Sequence, residues 1–445
     1  MRARNKILTS IATVVALLCF ALPAAAATWG TEPVPAGPGA LGPARLSFDA
    51  EGRALFLWDG VPTASQSRFT GIATRAPGGG WTRLANLPGV GWGNAQALQY
   101  ATTRVLFVSG QVASVGAFNR ARLRLVAAYG RSDGSALGSW QTLAPYETGF
   151  VAAANHSGQA IVLFDAGGNG LSTIERPSGG KFGKATRVSS PGAFTPAVAI
   201  NAHGDRIVAW IRSGRIEARI RDAGHGWSSV LNVAKAPGAA NTSLQAAVTA
   251  GGSFILAWNV ADIRESRPTR LIAGTAQRRP GQGWHAYPLE NATLGMNGGF
   301  VAENAMAFPL VTGSGAIAIT WTGAVANNAR VGVKAARLTT SGLRPAHVVS
   351  GDAANAAVGD AAVGPSGQAA IVWSQFDTQT QTSTYAALSP GPGVPFGPAD
   401  LLTPPETIGI SGPAVGVQTI TGQAVAMVPI IQGNSGGFLS AVQAP

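Results

Sequence analysis

The chain has 445 residues, with 46% apolar and only 12% charged side chains, 59 Gly, 28 Pro and a formal charge of +12. Such a balance excludes a coiled coil and a highly charged disordered chain, and it leaves ample material for a core. The lone cysteine, Cys19, lies near the start, so the rest of the chain has neither a disulfide framework nor a cysteine-based zinc site.

In chain order, the first element reads as an export signal. Arg2, Arg4 and Lys6 precede an apolar run from Ile7 to Leu22, then Pro23 and four alanines, Ala24 to Ala27. Small residues there suit signal peptidase, and the run is short for a bilayer span, which needs roughly 20 residues. Residues 1–27 are therefore expected to be a cleaved signal and 28–445 one domain, released outside the cell or associated with its surface, with no membrane span after cleavage. Leu18 before Cys19 does not suit a lipid-attachment site. Without the three signal cations the formal charge falls from +12 to +9. This favours anionic partners.

A phrase then recurs: a glycine, a mixed apolar strand, and an aromatic residue six positions on. The copies are Gly52-Arg-Ala-Leu-Phe-Leu-Trp58, Gly158 to Phe164, Gly204 to Trp210, Gly252 to Trp258, Gly315 to Trp321 and Gly367 to Trp373. Thr103 to Ser109 and Gly422 to Val428 are degraded copies, giving eight in all. A period of about 50 residues indicates an array of supersecondary units. A short strand of small residues precedes each glycine, as in Pro196-Ala-Val-Ala-Ile200, and an alternating third strand follows, as in Arg215-Ile-Glu-Ala-Arg-Ile220. A second aromatic or apolar column comes next: Trp81, Trp140, Phe182, Trp227, Trp284, Leu343 and Phe396. Four strands per unit of this size make a propeller blade. Helical periodicity is absent, which argues against a parallel α/β fold.

The expected fold is therefore all-β, a single propeller of eight four-stranded blades. The second column is one member short, and the last unit stops near Val442 without a fourth strand. Trp29 supplies the missing member, so the N-terminal strand is expected to complete the last blade and remove a free edge. Trp92 is then the one tryptophan without a place in either column. Arg75, Arg176, Arg221, Arg278 and Arg337 each precede the second column by six residues, and read as a hairpin rim or as a ring of anion-binding arginines.

These repeats resemble secreted bacterial β-propellers, broadly the sialidase-like families with six to eight blades. The resemblance spans nearly all of the chain after the signal and implies a ring with its working face on loops. It does not carry over a catalytic set. Asp-box turns are missing; Ser132-Asp133-Gly134 ahead of Trp140 has the wrong spacing, and Tyr146-Glu147 places neighbours on opposite sides of a strand.

The histidines lack metal-site spacing, and neither a nucleophile elbow nor a phosphate loop is present. No cofactor or metal is expected. Paired acids could still meet across the ring, and Asp59, Glu147, Glu303 and Asp360 are the catalytic candidates. Ligand-binding candidates sit on the most elaborate loops: Trp92, Phe118 and Tyr146 in the first blades, and the basic lip of Arg264, Arg267 and Arg270 in the fifth. The expected function is non-catalytic binding of an anionic glycan, a cell-envelope polymer or an extracellular protein through one loop face. The alternatives are a glycoside hydrolase or lyase acting on acidic carbohydrate, and a structural or adhesive role. Dispersed basic residues and the lack of a recognised module argue against nucleic acid.

Overall fold

A computed structural model describes residues 28–36, 45–60, 69–84, 86–87, 95–115, 121–146, 149–236, 241–262, 269–294, 305–352, 355–376, 381–392, 394–407, 412–432 and 435–444. Eight antiparallel sheets form a β-propeller. Each inner strand touches the inner strand of the next blade, and that of blade 8 touches that of blade 1, so the ring is closed.

Blade 1 runs through Arg45–Phe48, Ala54–Gly60, Phe69–Arg75 and Trp81–Arg83. Blade 2 begins at Gln96–Tyr100 and blade 3 at Phe150–Ala154. Blade 4 comprises Phe194–Ile200, Arg206–Arg212, Arg215–Arg221 and Leu231–Lys235. Blade 5 begins at Asn241–Val248, blade 6 at Ala307–Val311 and blade 7 at Ala356–Val363. Blade 6 has a split outer edge: Gly342–Leu343 and His347–Val348 both pair with its third strand, Arg330–Thr339.

Blade 8 comprises Ala414–Val417, Ala424–Gln432 and Ser435–Gln443, with Trp29–Val34 as its outer strand. Trp29 pairs with Gln443 and Val34 with Phe438, which is the closure expected from the sequence. The Ala444 amide donates to the Thr28 carbonyl at 2.7 Å, so the two ends of the ring-forming chain meet. The Trp29 indole donates to Asp400 of blade 7 at 3.2 Å, and Glu32 pairs with Arg75 of blade 1 at 2.7 Å. The N-terminal strand is thus held by both neighbouring blades as well as by its own sheet.

The repeated glycine makes the turn between inner and second strands. Gly52, Gly158, Gly204, Gly252, Gly315, Gly367 and Gly422 all have positive φ, a conformation open to glycine at no steric cost. In blade 2 the corresponding turn uses Ala101 at φ 50. The aromatics that follow are core residues. Trp58, Trp210, Trp321 and Trp373 are fully buried between blades. Trp58 and Trp258 lie opposite Gly71 and Gly274, where an added Cβ would come within 2.2 Å of the indole. These glycines make room for the rings.

A polar residue three positions before the turn glycine organises the same face. Asp49, Asn155 and Asn201 accept backbone amides of their own turns. Their remaining groups reach the next blade: Asn155 Nδ2 donates to the Asn201 carbonyl at 3.0 Å, and Asn201 Nδ2 to that of Thr249 at 2.9 Å. At the closing seam Gln418 Nε2 donates to the Gly52 carbonyl at 2.7 Å, and between blades 1 and 2 Ser132 donates its hydroxyl to Asp49. Buried polar groups fully paired in this way hold neighbouring blades in one register.

Candidate functional site

Inner strands start at the opposite face, where the central channel widens into a cavity of about 430 Å³. Blades 1, 2, 5, 6, 7 and 8 contribute to its wall. Its polar side chains are Arg45, Gln96, Gln245 and Asp360; Leu46, Leu98, Met306 and Phe308 give it an apolar side. Such a size and mixture are typical of small-ligand sites, which span roughly 300 to 1,000 Å³.

Asp360 reaches the cavity because of a bulge. Val358 pairs with Trp373 and Asp360 with Val372, leaving Gly359 as the extra residue. A bulge of this kind re-aims the next side chain. Glycine is required there, since a Cβ would fall 2.7 Å from the Pro413 ring of blade 8. The Asp360 carboxylate accepts the Ala361 amide at 2.8 Å and the Val415 amide at 3.0 Å, tying blade 7 to blade 8. Burial pushes its pKa up from 3.8 to about 6, against the opposing pull of the two amides and of Arg45.

Arg45 stands at the start of the blade 1 inner strand, open to the channel. Among the described residues its guanidinium has no hydrogen-bond or ion-pair partner. Desolvation draws its pKa down, and the charges of Asp360 and then Asp59 draw it back up. Asp59 is half-buried at the end of the blade 1 second strand and accepts the Thr70 hydroxyl at 3.0 Å. Two of the four carboxylates singled out in the sequence therefore share the electrostatic field of one arginine, although they come from blades 1 and 7. Sequence reasoning missed Arg45 itself: it is one of many arginines, and only ring closure brings it near Asp360.

Gln96 is structural. Its Oε1 accepts the Ala152 amide at 2.8 Å, linking blade 2 to blade 3. Gln245, half-buried, faces the cavity from blade 5.

Arg270 begins the third strand of blade 5, exposed, and its guanidinium donates to Asn291 of the outer strand at 3.2 and 3.1 Å. It is therefore held along its own blade and is not among the residues lining the channel cavity. Tyr146 ends the outer strand of blade 2, its backbone paired with Leu123. Trp92, Phe118, Glu147, Arg264, Arg267 and Glu303 lie outside the described residues.

The five arginines of the third strands do not form a ring of free cations. Arg75 pairs with Glu32, and Arg221 with Glu175 at 2.9 Å. Arg176 is buried over the rings of Tyr100 and Tyr129, and Arg278 lies over Phe254. Arg337 is out of step with the other four. They pair with the residue two after the turn glycine, Ala54, Ala160, Arg206 and Phe254, whereas Arg337 pairs with Ala318, three after Gly315. A one-residue slip turns a side chain to the other face of its sheet. Arg337 accordingly faces blade 7.

No protein-family model matches the sequence, and no curated protein matches it. The fold is similar to that of solved propellers. A lectin from Burkholderia pseudomallei aligns over 82% of this chain and 100% of its own, with a TM-score of 0.50 and 12% identity. An ulvan lyase aligns over 93% of this chain and 96% of its own, with a TM-score of 0.44 and 9% identity. A sialidase from Trypanosoma rangeli aligns over 91% of this chain and 55% of its own, with a TM-score of 0.40 and 10% identity. At such identities the likeness is one of fold.

Proposed function

We propose that this protein is an exported glycan-binding propeller that holds an anionic segment of a sugar chain at the mouth of its central channel without cleaving it. The observation that carries the reading is Arg45, a guanidinium without an ion-pair partner among the described residues, in a cavity of about 430 Å³. Arginine offers a planar fork to a carboxylate or sulfate. Leu98, Met306 and Phe308 give an apolar surface for the C–H face of a sugar, and Gln245 a hydrogen-bonding side chain for its hydroxyls. Both Asp360 oxygens already accept backbone amides, which suits a fixed structural acid better than one exchanging protons with a substrate. The lectin of similar fold offers a precedent for binding on such a ring.

One observation favours a hydrolase or lyase instead: a carboxyl held near 6 is poised for acid–base chemistry near neutral pH. A glycan array followed by titration of the best acidic ligand separates the two. Binding that weakens at least about ten-fold in Arg45→Gln, with no new reducing ends or unsaturated products on long incubation, is the expected outcome. Turnover abolished by Asp360→Asn would establish the enzyme. Undiminished affinity in Arg45→Gln would remove the channel from consideration.

A further inference from the structure

The cleft between blades 6 and 7 departs from its counterpart between blades 3 and 4. In the latter, Glu175 of blade 3 projects toward blade 4. One of its oxygens accepts Arg206 at 2.6 Å and Arg221 at 2.9 Å, and the other accepts the Trp227 indole at 2.8 Å. A single acid thus fills the gap and bridges the two arginines and the indole that face it.

The equivalent positions in blades 6 and 7 follow from strand register. Glu175 pairs with Ile161, three after Gly158, and Arg337 pairs with Ala318, three after Gly315. The Gly183 amide donates to the Glu175 carbonyl at 2.9 Å, just as the Arg344 amide donates to that of Arg337 at 2.8 Å. Arg337 therefore occupies the place of Glu175. Ala369, two after Gly367, takes the place of Arg206, and its partner Ser389 that of Arg221. Amides of Ser228 and Gly397 reach the Ile220 and Leu388 carbonyls alike, which sets Phe396 in the place of Trp227. The acid has become a base, and both of its arginine partners have become small. Ser389 turns its hydroxyl to its own loop, donating to the Val394 carbonyl at 2.6 Å.

The result is a cavity of about 200 Å³ between the two blades, with Arg337 at its wall. The split outer edge of blade 6 adds Arg344 and His347, and blade 7 adds Pro392 and Phe396. Among the described residues neither Arg337 nor Arg344 has a side-chain hydrogen-bond or ion-pair partner, and both are exposed. His347 lies beside Phe396, with ring centroids 6.4 Å apart. Desolvation lowers its pKa below the usual imidazole value, so it presents a neutral ring at pH 7. The charge of the pocket then rests on the two arginines, and its remaining wall is mainly apolar, with Thr312 at one end.

We infer that this interblade pocket is a second ligand site, taking a carboxylate carried on a compact ring. The carboxylate would sit against Arg337 and Arg344 with charge-assisted hydrogen bonds, supplying the charge that Glu175 supplies elsewhere in the protein. The ring would lie against Phe396 and Pro392. The pocket includes Thr312 and Gly367 of the inner-to-second-strand turns, so it opens on the face opposite the channel mouth. It stands or falls independently of the reading given for Arg45.

Sodium glucuronate is the probe and glucose its uncharged counterpart, with binding followed by calorimetry or by chemical-shift changes in the full chain. In an Arg45→Gln background, which silences the channel, saturable glucuronate binding is expected to persist and to weaken at least ten-fold on adding Arg337→Gln or Arg344→Gln, with no saturation by glucose. Rebuilding the other cleft with Arg337→Glu, Ala369→Arg and Ser389→Arg together should abolish binding while keeping the thermal midpoint. If that triple variant fails to fold, the single exposed arginine substitutions still decide the matter. No saturation by glucuronate at millimolar concentration overturns the inference. So does equal binding of glucose, or full binding in Arg337→Gln.

Discussion

Blade 4 and blade 8 have the same four-stranded plan, but different bonds hold their outer strands in place. In blade 4 the outer strand, Leu231–Lys235, follows its partner along the chain, and a register shift between Ile216 and Glu217 is tolerated. In blade 8 the outer strand comes from the other end of the chain and pairs without a shift from Trp29 to Val34. Its side chains are also fixed on both sides, by Asp400 and by Arg75. Where the backbone provides continuity the sheet can be irregular; where it does not, a regular ladder, side-chain bonds to both neighbours and the packing of Val34 against Phe438 and Trp58 fix the strand.

The largest test of this contrast is removal of residues 28–34. With a sheet edge of blade 8 exposed and its bonds to blades 7 and 1 lost, the melting temperature should fall by on the order of 10 °C or more. An unchanged melting curve would break the comparison outright. Next comes the seam between blades 3 and 4. Glu175→Ala leaves the buried Arg206 without its acid and should cost about 2–3 kcal/mol in denaturant titrations. A loss under about 0.5 kcal/mol would mean that the seam is held by apolar packing and the Asn155–Asn201 hydrogen bond without help from Glu175.

A third test concerns the join of blade 7 to blade 8. The folded pKa of Asp360, about 6, lies above its ordinary 3.8, so the fold favours the protonated form. Its contribution to stability is complete below about 3.8 and is lost as pH rises through about 6. Stability measured from pH 4 to 7.5 should therefore decline by up to roughly 3 kcal/mol on this account, at 1.36 kcal/mol per unit. The slope should flatten in Asp360→Asn. The same titration makes the channel more positive below pH 6, so an acidic glycan should bind several-fold more tightly at pH 5 than at pH 7. The smallest effect is expected for Glu32→Gln. Its ion pair with Arg75 is partly solvated, and about 1 kcal/mol or less should be lost, with greater loss at low than at high salt.

The parts of the fold that repeat were legible in the sequence. Glycines such as Gly204 and Gly252 mark turns because the backbone there needs positive φ, and Trp210 and Trp258 mark the strand that fills the interblade gap. Trp29 betrayed the closure because one column lacked a member. The acids and amides at Asp49, Asn155 and Asn201 were equally regular, three positions before the glycine, and that signal went unread. Arg337 was misread for a local reason. Counting back from Leu343 crosses the abbreviated edge of blade 6, whereas counting from Gly315 along the strand pairs reveals the slip. Proximity of Arg45 to Asp360 had no local signal. It arises where blades from the two ends of the ring come together, and strand periodicity carries no information about that.

The outer strand of blade 8 has one more consequence, for biosynthesis. Its residues are among the first of the ring to be made, and their partners, Ser435–Gln443, among the last. During synthesis the nascent protein therefore carries an early strand with no mate while seven blades accumulate behind it. Folding delayed until the chain is complete would keep that strand from pairing with the wrong neighbour, and final assembly would await emergence of the C-terminal residues.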